Sequence, residues 1–151
     1  MAVCYVGYGS NLWLDQMKRR CPESKFIGIG VLKDWRWIIT ASGYANIIPS
    51  PGDIVYAIVY ELSESDEESL DRYEGVPQSY VKEHFSILFT PTDGVGDEVK
   101  EVLVYVDYKR ITEGEPKEEY IHRMNMGIGD ALEVGIPNDY IHKYLRPFIP
   151  K

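Results

Sequence analysis

The sequence predicts an α+β fold, a small and mostly antiparallel β-barrel with flanking helices. Three observations carry that expectation. Short runs rich in β-branched and aromatic residues recur along the first two thirds of the chain with turn chemistry between them. After a first helical pattern behind the opening strand, one more interrupts those strands, and the remaining helical patterns are gathered in the last third. With 151 residues and 44% hydrophobic content, the chain suits one well-packed domain spanning residues 1–151.

The first strand is the apolar run from Val3 to Tyr8. Gly9 follows, where the backbone can turn sharply, and Ser10 and Asn11 are side-chain donors placed to cap a helix from Leu12 to Arg20. Backbone N–H groups in such a turn, with a helix N-terminus behind them, form a cradle for an anion. The plainer alternative is a strand, a turn and a helix cap with no ligand.

Lys25 to Leu32 and Trp35 to Ala41 read as two strands joined by a tight turn at Lys33-Asp34. Ala45 to Ile48 is a further short strand ending at the break Pro49-Ser50-Pro51-Gly52-Asp53, and Ile54 to Leu62 is a long apolar strand. A helix then starts near Ser63 or Ser65, with Ser65 and Glu68 at capping-box spacing, and stops at Gly75. Tyr80 to Phe89 and Val99 to Tyr108 are strands connected through Thr92 to Glu98. Pro116 opens a helix that reaches Met126, a second helical stretch covers Ala131 to Val134, and Asn138 begins a last short helix.

Glu74 sits in the last turn of the acidic helix, against the negative end of the helix dipole, which disfavours its charged form and pushes its pKa up. That suits a proton-transfer group. The alternative for Glu74 is a solvated glutamate on an acidic helix. Tyr80, Tyr105 and Tyr120 fall on or beside three different elements, so they can converge on one pocket or simply pack the core.

A formal net charge of −8 argues against a nucleic-acid partner, and Lys18-Arg19-Arg20 is more simply the dipole complement of the helix it closes. Neither a leader-like segment nor a membrane-length apolar stretch is present, so a cytoplasmic protein is expected. Cys4 and Cys21 lack CxxC spacing, and His84, His122 and His142 are scattered, so no metal site and no disulfide scaffold is indicated. Gly7-Tyr8-Gly9 does not make a dinucleotide fingerprint, because Leu12 occupies the third glycine position.

Taken together, Tyr8-Gly9-Ser10-Asn11, the segment Ser50 to Tyr56, Ser69-Leu70-Asp71 with Glu74-Gly75-Val76 and Tyr80, and Gly135-Ile136-Pro137 with Tyr140 resemble the γ-glutamylcyclotransferase family over roughly 130 residues, a register far more specific than a lone glycine loop. The resemblance implies a small β-barrel with flanking helices that uses no cofactor and forms a homodimer in many members. It implies a small-molecule γ-glutamyl substrate, released as 5-oxoproline and a free amino acid or amine. By motif, it implies a substrate-binding loop at Tyr8, Gly9, Ser10, Asn11 and Leu12, pocket tyrosines at Tyr80, Tyr105 and Tyr120, and a catalytic glutamate at Glu74. The loop Val76-Pro77-Gln78-Ser79 lacks the glycine expected before the tyrosine. The reading from a different class is a barrel that binds a small ligand without turning it over, since a fold alone does not fix activity.

Overall fold

A closed barrel of five strands, ordered β1-β3-β2-β4-β5, forms the centre of the computed structural model, which describes residues 3–94 and 96–151. The strands are β1 (Val3–Gly7), β2 (Lys25–Ile39), β3 (Ala45–Leu62), β4 (Val81–Pro91) and β5 (Glu98–Val106). Neighbours are antiparallel except β1 and β5, whose parallel contact at Tyr5 and Leu103 closes the barrel. Four helices flank it: α1 (Leu14–Arg20), α2 (Glu64–Tyr73), α3 (Glu118–Val134) and α4 (Asn138–Tyr140), which runs on into a π-helical turn at Ile141–Leu145. No helix among the described residues is long and apolar enough to cross a membrane.

The expected break at Lys33-Asp34 is not a chain reversal. β2 is continuous, and Asp34, with φ of 68°, sits in a bulge where the pairing shifts between Lys33 and Trp35. The Pro-rich segment opposite is likewise no end of a strand: β3 continues through it, with Pro49 opposite Trp35 and Ile54 opposite Lys33. Prolines that cannot donate to a ladder are tolerated in an irregular stretch of this kind. Its loose residues are tied back by the Gly52 N–H, which donates to Asp34 Oδ1 at 2.9 Å, and by the Ser50 hydroxyl, which donates to Asp53 Oδ2 at 2.6 Å. The turn signals mark the bend of one long hairpin.

That bend shapes the site. Because β1 and β5 run parallel, their C-terminal ends lie at one end of the barrel. The outer half of the β2–β3 hairpin lies against that end: the Trp37 indole donates to the Tyr8 carbonyl at 2.8 Å, and fully buried Asn46 clasps the chain beyond β5. Its amide donates to the Asp107 and Arg110 carbonyls at 2.7 and 3.0 Å and accepts the Asp107 N–H at 3.0 Å. α2 leaves β3 at Leu62, opposite Val3, and returns along the barrel towards the end where β1 stops.

α3 also differs from expectation. It is one helix through Gly127 and Gly129 rather than two stretches. A Cβ at Gly127 would stand 3.0 Å from both Leu12 Cβ and the Trp13 nitrogen, so this glycine marks where α3 approaches the segment after β1, not where a helix stops. Val95, in the expected connector from Thr92 to Glu98, lies outside the described residues. The remainder of the core is apolar, with Val6, Met17, Trp37, Ile58, Leu103 and Met124 essentially without exposed surface.

Asn46→Ala would leave three backbone groups without the partners described above, with no water able to replace them at full burial. Unfolding by urea is expected to show a loss on the order of 2–4 kcal/mol; a loss under about 0.5 kcal/mol would show that the hairpin does not depend on this clasp.

Candidate active site

The segment after β1 is built to be held from all sides. Ser10–Leu12 forms one 3-10 turn, closed by the Leu12 N–H to the Gly9 carbonyl and the Trp13 N–H to the Ser10 carbonyl, both at 3.0 Å. The expected capping by Ser10 and Asn11 does not occur: α1 begins at Leu14, behind Trp13, and no side chain of its own N-terminus caps it. Instead Asp130 of α3 accepts the Leu14 N–H at 2.9 Å, which frees Ser10 and Asn11 for other partners. Gln16 of α1, almost wholly buried, donates through Nε2 to Ser10 Oγ and to Asn11 Oδ1, each at 2.9 Å. Asn11 Nδ2 donates to the Tyr5 hydroxyl at 2.9 Å, and the Tyr60 hydroxyl donates to the Asn11 carbonyl at 2.6 Å. Gly9 is required by proximity, since a Cβ there would meet the Tyr120 hydroxyl at 2.9 Å and Ala45 Cβ at 3.0 Å. The Gly9 and Asn11 N–H groups have no acceptor among the described residues.

Glu74 arrives from α2. The helix starts at Ser63, whose hydroxyl accepts the Asp66 N–H at 3.1 Å while Asp66 reaches back to the Ser63 N–H. This is the capping box, two residues earlier than the expected Ser65 and Glu68. At the other end Gly75 is left-handed, with φ of 64°; its N–H donates to the Arg72 carbonyl and the Val76 N–H to the Asp71 carbonyl, a Schellman turn. Glu74 is therefore the last residue with helical backbone angles, and its place is set by a glycine that a side-chain-bearing residue would replace only with strain. The Tyr80 N–H returns to the Glu74 carbonyl at 3.4 Å, which draws the start of β4 alongside.

These elements enclose a cleft of about 380 Å³. Of the positions singled out in the sequence, Tyr8, Gly9, Ser10, Asn11, Glu74, Tyr80, Tyr105 and Tyr120 all line it. Leu12 does not, being buried against Gly127 on the other side of the turn. Three of the tyrosines are fixed by their own protons: Tyr8 donates to the Tyr105 carbonyl, Tyr80 to the Ala45 carbonyl and Tyr105 to Asp71 Oδ1, each at 2.6 Å. Lys82 holds Asp71 in turn at 3.0 Å and also pairs with Glu67, so α2 is fastened to β4 and β5. Burial raises the phenols of Tyr5, Tyr8 and Tyr80 well above their ordinary value, so all three stay neutral.

Burial likewise pushes the Glu74 carboxyl up to about 7, opposed by the positive charges of Arg20 and Arg123. The expected direction has a different principal cause, desolvation in the cleft. Glu74 as a whole residue keeps some contact with the cleft mouth, yet its carboxyl makes no hydrogen bond among the described residues. A carboxyl with a pKa near neutrality and no fixed partner can both accept and return a proton at ordinary pH.

Sequence reasoning missed Tyr5, Arg20, Arg72 and Arg123, which also line the cleft. Arg20 had a sufficient explanation as a helix-terminal charge, and Arg72 lay within an acidic helix. Arg123 carried a signal, since it lies one turn beyond Tyr120, and its guanidinium stacks 4.9 Å from that ring. Among the described residues, no group of three or more His, Cys, Asp or Glu side chains is arranged to hold a metal.

The model of the family described as Gamma-glutamyl cyclotransferase, AIG2-like, matches residues 5–123, a span that contains the turn after β1, Glu74 and Tyr120. The gamma-glutamylcyclotransferase of Mus musculus is 30% identical over 152 residues, covering 92% of this chain and 75% of its own. That of Bos taurus is 28% identical over 153 residues with the same coverage. A solved gamma-glutamyl cyclotransferase is similar in structure with a TM-score of 0.75 at 26% identity, covering 95% of this chain and 86% of that one. A protein from Bacillus subtilis shares the fold with a TM-score of 0.73 at 19% identity, over 94% of this chain and 52% of its own.

The raised Glu74 pKa carries a stability consequence. In the unfolded chain the group titrates near 4.5 and in the folded one near 7, so between these values the native state binds more protons and stability falls as pH rises. Glu74→Gln removes that dependence. At pH 8 the variant is expected to be more stable than the parent by on the order of 1–3 kcal/mol, with the difference shrinking as pH falls through 7 towards 4.5. Equal pH dependence of the two urea midpoints would rule out a buried, neutral-leaning Glu74.

Proposed function

The chain belongs to the γ-glutamyl cyclotransferase, AIG2-like family, and from that premise we propose that it cyclises a γ-glutamyl amino acid or amine to 5-oxoproline and releases the free amino acid or amine. Glu74 acts as the general acid–base. In this reaction the α-amine of the glutamyl group attacks its own γ-carbonyl, so nucleophile and electrophile belong to one molecule and rate comes from holding a folded conformer. No protein nucleophile is required.

The amine arrives as an ammonium ion. Glu74 as carboxylate removes a proton from it, the C–N bond forms, and the tetrahedral intermediate collapses as the same carboxyl returns that proton to the departing nitrogen; the second proton that the ring nitrogen sheds ends on the released amine, which leaves as an ammonium ion. The developing oxyanion needs fixed donors, and the Gly9 and Asn11 N–H groups are donors without other acceptors at the cleft wall. The observation that carries the reading is the Glu74 carboxyl, pushed up to about 7 by burial in the same cleft as that turn. A residue serving only helix stability gains nothing from such a position.

Incubating the protein with γ-glutamyl amino acids, γ-glutamyl amines and glutathione, and quantifying 5-oxoproline, tests the assignment. Release is expected from at least one class, with Glu74→Gln lowering kcat by roughly a hundredfold or more while KM changes little. For the parent, kcat/KM is expected to rise with pH through about 7, because the free enzyme needs the carboxylate form. Near-normal turnover in Glu74→Gln would sink the role given to this residue.

A further inference from the structure

α2 has little apolar surface with which to hold its place. Of its ten residues, Leu70 is the one buried apolar side chain, and the other buried residue is Asp66. Ten residues are too few for a stable isolated helix, and one buried leucine does not fix the direction of a helix against a sheet. Polar contacts on its two flanks set that direction. Towards α1, the Ser69 hydroxyl donates to the Arg20 carbonyl at 2.9 Å. Towards the barrel, Asp71 is held through both oxygens: the Tyr105 hydroxyl donates to Oδ1 at 2.6 Å and Lys82 Nζ to Oδ2 at 3.0 Å.

Lys82 and Tyr105 stand directly opposite each other on β4 and β5, so one cross-strand pair closes on one carboxylate. Lys82 also pairs with Glu67, one turn earlier on α2, and so spans two turns of the helix. The side chains of Lys82, Glu67 and Asp71 are 27%, 27% and 30% exposed, more sheltered than an ordinary surface ion pair. Burial works against the Lys82 charge, but the hydrogen bonds to Glu67 and Asp71 outweigh it and hold its pKa above the ordinary value. None of the three lines the cleft. Glu74, three residues beyond Asp71, does line it, and the place of its carboxyl is set by the backbone of the last turn of α2.

We infer that Lys82 and Asp71 are positioning residues, a clamp on α2 that keeps the Glu74 carboxyl inside the cleft. What the clamp means for turnover rests on the acid–base role proposed for Glu74. Without it α2 is held on its α1 flank alone and tilts outward, and the carboxyl moves towards water. The sign of the change at Glu74 separates this from a charge effect. Removing a positive charge raises the pKa of a carboxyl that feels it, whereas admitting water to a buried carboxyl lowers it. The charges around Glu74 are Arg20 on α1, Arg123 on α3 and Arg72 on α2 itself. The phenols of Tyr5, Tyr8, Tyr80, Tyr105 and Tyr120 that face it are kept neutral by burial.

A pH titration of the full chain by NMR, isotope-labelled at its glutamate carboxyl carbons, reads this without turnover, the Glu74 resonance being the one that Glu74→Gln removes. In Lys82→Met the Glu74 midpoint is expected to fall from about 7 towards 4.5, by about one pH unit or more. With a substrate, kcat is expected to drop roughly tenfold or more while KM changes by less than about threefold. Lys82→Arg keeps the charge and the reach and is expected to restore both. Lys82→Gln, uncharged but still a hydrogen-bond donor, reads the same sign if Lys82→Met does not fold. A midpoint that stays near 7 or rises in a folded variant would overturn the clamp and leave Lys82 a matter of stability or charge alone. If the midpoint falls as stated but the parent turns over no γ-glutamyl compound, the clamp stands and the proposed reaction falls. Turnover with kcat and midpoint unmoved in Lys82→Met leaves the reaction and removes the clamp.

Discussion

The order of the cleft depends on the hydrogen bonds around Asn11. The turn that carries it has only two internal backbone bonds of its own, far too few to hold one conformation in water. Asn11 supplies the largest share of the others, joining β1 through Tyr5, α1 through Gln16 and Arg20, and β3 through Tyr60. Because the residue is 4% exposed, water cannot substitute for a lost partner, and the whole set is made or broken together. Two glycines permit it: Gly9 lets Tyr120 come close, and Gly127 lets α3 press on Leu12.

Glu74 is governed by two opposed effects, and the balance between them is what the chemistry needs. Burial alone would carry the carboxyl further up, and a group protonated at neutral pH is no base. Full solvation would leave it near 4.5, too weak to take a proton from an ammonium ion. Arg20 and Arg123 pull against burial without forming an ion pair with Glu74, since Arg123 is already held by both oxygens of Glu119 and Arg20 leans over the Tyr73 ring at 4.5 Å. A direct salt bridge would have fixed the carboxylate in its charged form and removed it from proton transfer.

Much of the fold was legible because it is written locally. Apolar runs gave the strands, and Gly75 gave the stop after Glu74 that a left-handed residue enforces. The errors came where a local signal served a distant contact. Asp34 and the prolines opposite it signal turns by composition, yet they bend one hairpin across the barrel end. Gly127 and Gly129 weakened the helical pattern, and only the packing of α3 on Leu12 explains Gly127. Ser10 and Asn11 have the chemistry of helix caps; Asp130, over a hundred residues away, took that task. The missed cleft residues follow the same rule. Arg20 and Arg72 each had a sufficient local explanation, and Tyr5 was one apolar position in a strand.

Net charge misleads in the same way. The chain is acidic overall, at −8, but among the described residues Glu74 is the sole carboxylate lining the cleft, where Arg20, Arg72 and Arg123 also stand. The acidic residues that set the total are elsewhere, among them Glu64 and Glu68 on the exposed face of α2 and Asp93, Asp97 and Glu98 at and before the start of β5. An acidic surface suggests a cationic partner, whereas the cleft itself has an excess of positive charge over a short range. That local excess favours the charge state that proton removal creates in the proposed reaction, when the glutamyl zwitterion becomes a net anion as its ammonium is neutralised. Glu74 becomes neutral at the same moment, so the total charge in the cleft is unchanged and the arginines need not move. A site whose charge is merely redistributed during the step requires little reorganisation of its surroundings, and a rigid, tyrosine-lined wall is compatible with that requirement.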